Sequence, residues 1–199
     1  MLIKTRMGRE EKQQHTREKL FEAATELMVS KGYHAASVSD IAETAGFSKG
    51  AFFSNFDSKA DLLVALMQRF KAVEIQRLAA ALDSGASAAE LSEGLVVYVD
   101  NLKHNKACVI LDVELQLMAA RDAAFAQHYH DLHQQNCEAL GTLIERIFNH
   151  RGKQAPMDRR ALAMLFTAVS EGLVLQGLDD PAEPIKRVLD ALIATAASL

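Results

Sequence analysis

The chain is expected to be all-α, with a short front module of three helices and a larger helical remainder, about nine helices in total. Three observations predict this. Only three of its 199 residues are proline and none is tryptophan, while 49% are hydrophobic, enough for a sizeable core. Apolar side chains return at three- and four-residue spacings along nearly the whole sequence, and no long β-branched alternation competes with them. Small polar residues and glycines interrupt the pattern where helix caps belong.

In chain order, Lys4, Arg6, Arg9 and Lys12 precede the first apolar periodicity and read as a loosely ordered basic arm. Thr16 is then expected to cap a helix carrying Leu20, Ala23, Ala24, Leu27 and Met28 on one side and ending at Gly32. Between Ser37 and Phe56 lie two short helices joined by a tight turn. Ser37 and Asp40 are spaced as a capping box. Ile41, Ala42 and Ala45 form a small apolar edge, and Gly46 stands where a left-handed residue ends the helix. Ser48 repeats the capping chemistry ahead of Lys49, Gly50, Ala51, Phe52 and Phe53, with Phe47, Phe52 and Phe56 available for burial. After Asp57 and Ser58, a long helix from Lys59 to about Leu82 carries Leu62, Leu63, Leu66, Met67, Phe70 and Val73, and DSGAS at 83 to 87 closes it.

The outer side of the second short helix is small, polar and basic, a composition that a DNA major groove accepts. Gly50 and Ala51 let the backbone approach, and Lys49, Ser54 and Asn55 can donate to phosphates or base edges. Lys59, in the first turn of the long helix, is expected to meet a phosphate. Residues 1–59 hold nine Lys/Arg against eight Asp/Glu, whereas the remainder holds 13 against 18 within an overall charge of −4. The basic character therefore sits at the front.

From Thr16 to Leu63 the sequence resembles the DNA-binding region of the TetR family of bacterial transcriptional regulators. The resemblance rests on the AA of EAATEL, Gly32-Tyr33, Ser37-Val38, Asp40-Ile41-Ala42, Ala45-Gly46, Ser48-Lys49-Gly50, Phe56 and Lys59 at the family's spacing. It implies a helix-turn-helix DNA-binding domain over 14–74, with the motif at 37–56, and an effector-binding and dimerisation domain over 75–199. By the same resemblance Ser37, Ser48, Lys49, Gly50, Ser54 and Lys59 lie at or near the DNA backbone, with Lys49, Ala51 and Ser54 nearest the bases. Phe53 departs from the family, which usually has there a tyrosine whose hydroxyl meets a phosphate. The implied partners are double-stranded operator DNA, a small-molecule effector and a second copy of the chain. Repression is the implied direction of control.

Beyond about Lys71 the resemblance is to architecture alone. Helical periodicity runs over 88–105, 107–119, 123–151, 158–177 and 184–197. Leu162, Leu165, Phe166, Val169 and Leu173 form one stripe. Ile185, Val188, Leu189, Leu192, Ile193 and Ala196 form another. Both resemble the helices that pair about the twofold axis of such dimers. The middle helices are expected to enclose the effector with Tyr98, Leu102, Leu111, Leu115, Met118, Phe125, Tyr129 and Leu132. His104, Glu114, Gln116 and Glu171 are candidate polar handles, and the expected effector is small and mostly apolar.

One alternative is a metal- or redox-responsive regulator. His130, His133 and Cys137 fall at i, i+3 and i+7, a spacing at which imidazole and thiolate can share a soft cation. A helical enzyme is the remaining alternative, but no phosphate loop, nucleophile elbow or HExxH pattern occurs, and no cofactor is called for. Cys108 and Cys137 are too few for a disulfide framework, and no stretch has a signal peptide's or a membrane span's length of apolar residues. A cytoplasmic protein is expected.

Overall fold

The computed structural model describes residues 8–83 and 87–199. Among these the backbone forms nine α-helices: α1 (Arg9–Lys31), α2 (Val38–Thr44), α3 (Lys49–Phe53), α4 (Lys59–Asp83), α5 (Ala88–His104), α6 (Lys106–Arg121), α7 (Ala123–His150), α8 (Arg159–Leu175) and α9 (Ala182–Thr195). No strand occurs among the described residues. One antiparallel bridge joins Lys153 to Ser198. The chain divides into two compact units, the first ending at Met67 and the second running from Gln68 to Leu199. The division falls inside α4.

The first unit is built on local rules with one exception. Ser37 Oγ accepts the Asp40 N–H at 3.1 Å and Asp40 Oδ2 accepts the Ser37 N–H at 3.2 Å, closing the box that starts α2. Ser48 Oγ accepts the Ala51 N–H at 3.2 Å to start α3, and Ser58 Oγ accepts the Asp61 N–H at 3.0 Å to start α4. Each such cap is worth ~1 kcal/mol. Gly46 adopts φ 78°, the left-handed turn that separates α2 from α3. The exception is α1, which begins at Arg9 and not after Thr16. Gly8 is its extended N-cap, and Glu11 Oε2 accepts the Gly8 N–H at 2.8 Å. Thr16 lies inside the helix, its hydroxyl donating to the Lys12 carbonyl at 2.9 Å. The first turns are rich in Arg, Glu, Lys and Gln, which favour helix without any apolar stripe to announce it. Arg9 and Lys12 of the expected arm therefore belong to α1, while Lys4 and Arg6 lie outside the described residues.

Leu20, Ala24 and Met28 of α1, Ile41 and Ala42 of α2, Phe52 of α3 and Leu62, Leu63 and Met67 of α4 are buried in this unit. Phe56 sits 5.4 Å from the Phe21 ring and 5.8 Å from that of Phe52. Above Phe56 lies the Arg17 guanidinium, 4.3 Å from the ring centre, which also donates to the Asn55 carbonyl at 2.8 Å. One side chain thus fixes the exit of α3.

In the second unit α7 is the central element, packed by α5, α6 and α8. Its Leu140, Leu143, Ile144, Ile147 and Phe148 meet Leu95, Tyr98, Val99 and Leu102 of α5, Leu162 and Phe166 of α8, and Ile185, Leu189 and Ile193 of α9. Gly141 marks where α7 and α8 come closest, for a Cβ there would stand 2.4 Å from the Arg159 carbonyl oxygen. Of the DSGAS break, Ser84, Gly85 and Ala86 lie outside the described residues. Ser87 begins α5, its backbone N–H donating to Glu90 Oε2 at 2.7 Å.

Candidate functional site

Two features merit chemical description, one in each unit. In the first, α3 turns Ser48, Lys49, Gly50, Phe53 and Ser54 to the outside, with Ser37 exposed at the start of α2. Phe53 is 49% exposed although it is a large apolar ring, and the Lys49 ammonium stands 5.9 Å from its centre. A Cβ on Gly50 would meet only Ser48 Oγ, at 3.6 Å, so the fold leaves the space over this turn open. Ala51 and Asn55 are partly buried. Asn55 Nδ2 donates to the Ala51 carbonyl at 2.8 Å, and Ser54 Oγ donates to the Gly50 carbonyl at 2.9 Å.

Lys59 is placed differently from the sequence expectation. Its ammonium donates to the Tyr33 carbonyl at 2.5 Å and the Ala36 carbonyl at 2.8 Å, and stands 4.2 Å from the centre of the Tyr33 ring. These carbonyls belong to the turn between α1 and α2, where no helical partner is available to them. A cation in the first turn of α4 thereby secures that turn.

The second feature is a cavity of about 490 Å³ between α6, α7 and α8. Small residues from three helices line it: Ala119 and Ala120 on α6, Ala126 on α7 and Ala168 on α8. Met164 and Tyr129 give it apolar walls, while Gln116, His133, Thr167 and Glu171 give it a polar end and Arg160, His130 and Glu138 its more exposed edge. Tyr129 and His133 rings lie 4.2 Å apart, tilted against each other. Burial raises the Tyr129 hydroxyl far above its ordinary range, so it stays a neutral donor.

Behind the polar end is a buried ionic network. Lys71 Nζ lies 3.4 Å from Asp112 Oδ2 and 3.9 Å from Glu171 Oε1. His133 Nε2 meets Asp112 Oδ1 at 3.0 Å, and Gln116 Nε2 donates to Glu171 Oε2 at 3.1 Å. Burial alone would raise Asp112, but Lys71 and the His133 hydrogen bond outweigh it and hold the carboxyl at about 2. For Glu171 the balance reverses: burial, then the neighbouring Asp112 charge, push it up to about 8 against the pull of Lys71. Burial also works against the Lys71 charge, yet the attraction of Asp112, Tyr98 and Glu171 leaves its pKa raised. At neutral pH Lys71 and Asp112 are thus ionised and Glu171 keeps its proton. Beside it the Tyr98 hydroxyl comes near Asn136 and Thr167. Yet Tyr98 Oη, Asn136 Oδ1 and Thr167 Oγ1 are each buried without a hydrogen-bond partner of normal geometry.

Of the side chains expected to line an effector site, Tyr129 alone borders this cavity. Tyr98, Leu102, Leu111 and Leu115 are core, with Tyr98 and Leu102 in the main apolar cluster, and Met118, Phe125 and Leu132 are partly buried away from the lining. Of the polar handles, Gln116 and Glu171 line it, while Glu114 and His104 do not. Sequence reading missed Lys71 and Asp112 entirely. The only signal for them was a charged residue inside an apolar stripe, which Lys71 and Asp112 both are. No group of three or more His, Cys, Asp or Glu among the described residues is arranged to hold a metal ion. His133 is committed to Asp112, His130 is exposed at the edge, and burial raises the Cys137 thiol, disfavouring the thiolate a metal needs.

The stripes on α8 and α9 divide by face. Leu162, Phe166 and Leu189 are buried in the core, and Leu173 and Leu192 are partly buried. Leu165, Val169 and Val188 are 39%, 37% and 45% exposed, joined on α8 by Met164 at 55%. No helix is long and apolar enough to cross a membrane among the described residues.

Comparison with known proteins places the front unit. Residues 20–66 match the sequence pattern of bacterial regulatory proteins of the tetR family. The HTH-type transcriptional activator FasR of Mycolicibacterium smegmatis is 45% identical over 53 residues, which are 27% of this chain and 24% of FasR. The chain spans about a quarter of the length of the first curated relatives it matches. The fatty acid degradation regulator FadR of Bacillus halodurans superposes with a TM-score of 0.75 at 17% identity, over 98% of this chain and 100% of that one. FadR of Bacillus subtilis, solved in complex with stearoyl-CoA, gives a TM-score of 0.72 at 20% identity over 89% of this chain and 97% of that one. At these identities the structures establish the shared fold. Residues 20–66 thus carry the tetR-family pattern across α1 to α4, and the chain shares the fold of these solved regulators over nearly its whole length.

Proposed function

We propose that the protein is a ligand-responsive repressor that binds a palindromic operator as a dimer in the cytoplasm, with residues 14–74 holding the DNA and 75–199 the effector and the partner copy. The observation that carries the DNA reading is the outward face of α3: Lys49, Phe53 and Ser54 exposed around an open Gly50, with Ser37 and Ser48 beside them. An ammonium and hydroxyls over a glycine-thin backbone suit a major groove. In this reading Lys49, Ala51 and Ser54 are nearest the bases. Asn55 shapes the end of α3, and Lys59 secures the turn that presents α2. Phe53 offers a ring to sugar and phosphate where a hydroxyl would donate.

The exposed Leu165, Val169 and Val188 support a partner copy on α8 and α9, since a twofold contact buries the same apolar patch on both subunits. Two α3 helices then enter successive major grooves about 34 Å apart. An effector in the cavity between α6, α7 and α8 favours a conformation in which that spacing misfits, so DNA affinity falls by differential binding.

Selection of duplexes from a random-sequence pool tests the reading. Recovery of an inverted repeat with half-sites one helical turn apart is expected. Recovery of no consensus at low salt would remove it. Expression from a promoter carrying the recovered repeat, with and without the protein, distinguishes repression from activation.

A further inference from the structure

We propose that the cavity takes a small organic cation, an amine with an apolar body, whose charged nitrogen is held by the Glu171 carboxylate at the polar end and whose body lies against Tyr129, Met164 and Ala119. The proposal deepens the effector reading above and rests on it for its regulatory meaning, though not for the binding itself.

Glu171 lacks a close cationic partner of its own. Lys71 is the network's one lysine or arginine ammonium, and it stands nearer Asp112, 3.4 Å, than Glu171, 3.9 Å. Once Asp112 has taken that charge, an ionised Glu171 has only the Gln116 amide at 3.1 Å to face it. From α7, His133 is directed at Asp112 and Tyr129 and Cys137 contribute no cation, and from α5 neither does Tyr98. On α8 itself Arg160 is exposed at the mouth, where water screens it. No buried lysine or arginine other than Lys71 therefore faces an ionised Glu171. Burial, then the Asp112 charge, push the carboxyl up to about 8, and Lys71 alone does not offset them.

A second observation points the same way. Thr167 Oγ1, one turn from Glu171 and on the cavity lining, has only the Tyr98 hydroxyl beside it, in a buried cluster with Asn136 whose hydrogen-bond geometry is incomplete. A hydroxyl oxygen able to accept, next to a carboxylate on the same lining, suits an N–H donor. An anionic head would instead approach the buried Asp112 charge that lies behind Glu171. Tyr129 and the His133 ring offer π faces alongside, which favour a cation further. Binding moves one proton: the ammonium enters with its charge, Glu171 releases its proton to solvent, and the carboxylate and ammonium then pair.

The test uses the full chain and three probes with one body and different heads, decylamine, decanol and decanoate, in titration calorimetry. Decylamine is expected to bind at pH 7 with release of nearly one proton, read from the dependence of the heat on buffer ionisation. Its affinity should rise roughly tenfold from pH 7 to pH 9 as Glu171 ionises. Decanol should bind at least about tenfold more weakly. Glu171→Gln should bring decylamine to about the decanol level. The proton-release measurement needs no variant, so it stands if Glu171→Gln folds poorly. Decanoate binding as tightly as decylamine, decylamine binding without proton release, or no binding of any probe would each overturn the assignment. DNA binding of the same preparation is scored separately. Amine binding without any operator binding would remove the regulatory reading and leave the cavity assignment, and operator binding without amine binding would do the reverse.

Discussion

Glu171 lies 3.9 Å from the Lys71 ammonium, half an ångström farther than Asp112 does. Lys71 and the His133 hydrogen bond hold Asp112 at about 2 against its burial, whereas burial and then the Asp112 charge push Glu171 up to about 8 against the weaker pull of Lys71. A buried ion pair satisfies one partner well, and the second carboxyl pays in protonation.

Stability should therefore depend on pH in two windows. Glu171 is raised in the folded chain from 4.5 to about 8, so the folded state binds its proton more tightly, and stability falls as pH rises between those values. Asp112 is lowered from 3.8 to about 2, so its contribution is present above 3.8 and is lost as pH falls through 2. Denaturant melts of wild type and Glu171→Gln from pH 5 to pH 9 check the first window. The wild type should lose up to a few kcal/mol that the variant keeps, and parallel curves would contradict the account.

Lys59 should matter to folding of the front unit. Lys59→Ala removes the donor to the Tyr33 and Ala36 carbonyls and should cost ~1.5–3 kcal/mol. Lys59→Met, which keeps much of the stem's packing, should recover only part. A melt of either variant indistinguishable from wild type would mean that the two carbonyls find water without penalty.

Gly141 should not tolerate a methyl group. A Cβ at 2.4 Å from the Arg159 carbonyl forces α7 and α8 apart, and Gly141→Ala should destabilise the second unit by ~1–3 kcal/mol despite alanine's better helix propensity. Because α7 and α8 also wall the cavity, decylamine binding should weaken in the same variant. A stabilised variant would show that the helices separate freely.

The apolar face of α8 and α9 should control assembly. Leu165→Glu with Val188→Glu places charge on side chains that the subunit leaves exposed, so its own fold should persist while sedimentation shifts from dimer to monomer. An unchanged sedimentation coefficient would place the partner contact elsewhere.

The front unit was legible because its rules are local. Ser37 with Asp40, Gly46, Ser48 and Ser58 each act within three residues, and each performs the expected role. Thr16 misled because the polar residues before it form helix by propensity alone. The cavity was illegible for the opposite reason. Large apolar residues such as Leu111 and Leu115 fill the core, so the space left over is marked by alanines on three separate helices. Their alignment depends on packing that no single periodicity reveals. Gln116 and Glu171 could be singled out as polar residues on such helices, but their meeting across α6 and α8 could not.

The central claim, that the α3 face binds operator DNA, is tested most directly by fluorescence anisotropy of a labelled duplex carrying the selected repeat, titrated with wild type and Lys49→Ala across salt concentrations. Wild-type affinity should fall steeply with salt, and the variant should bind more weakly with a slope shallower by about one per subunit. Equal affinities and equal slopes would contradict the assignment of Lys49 and of the face it stands on.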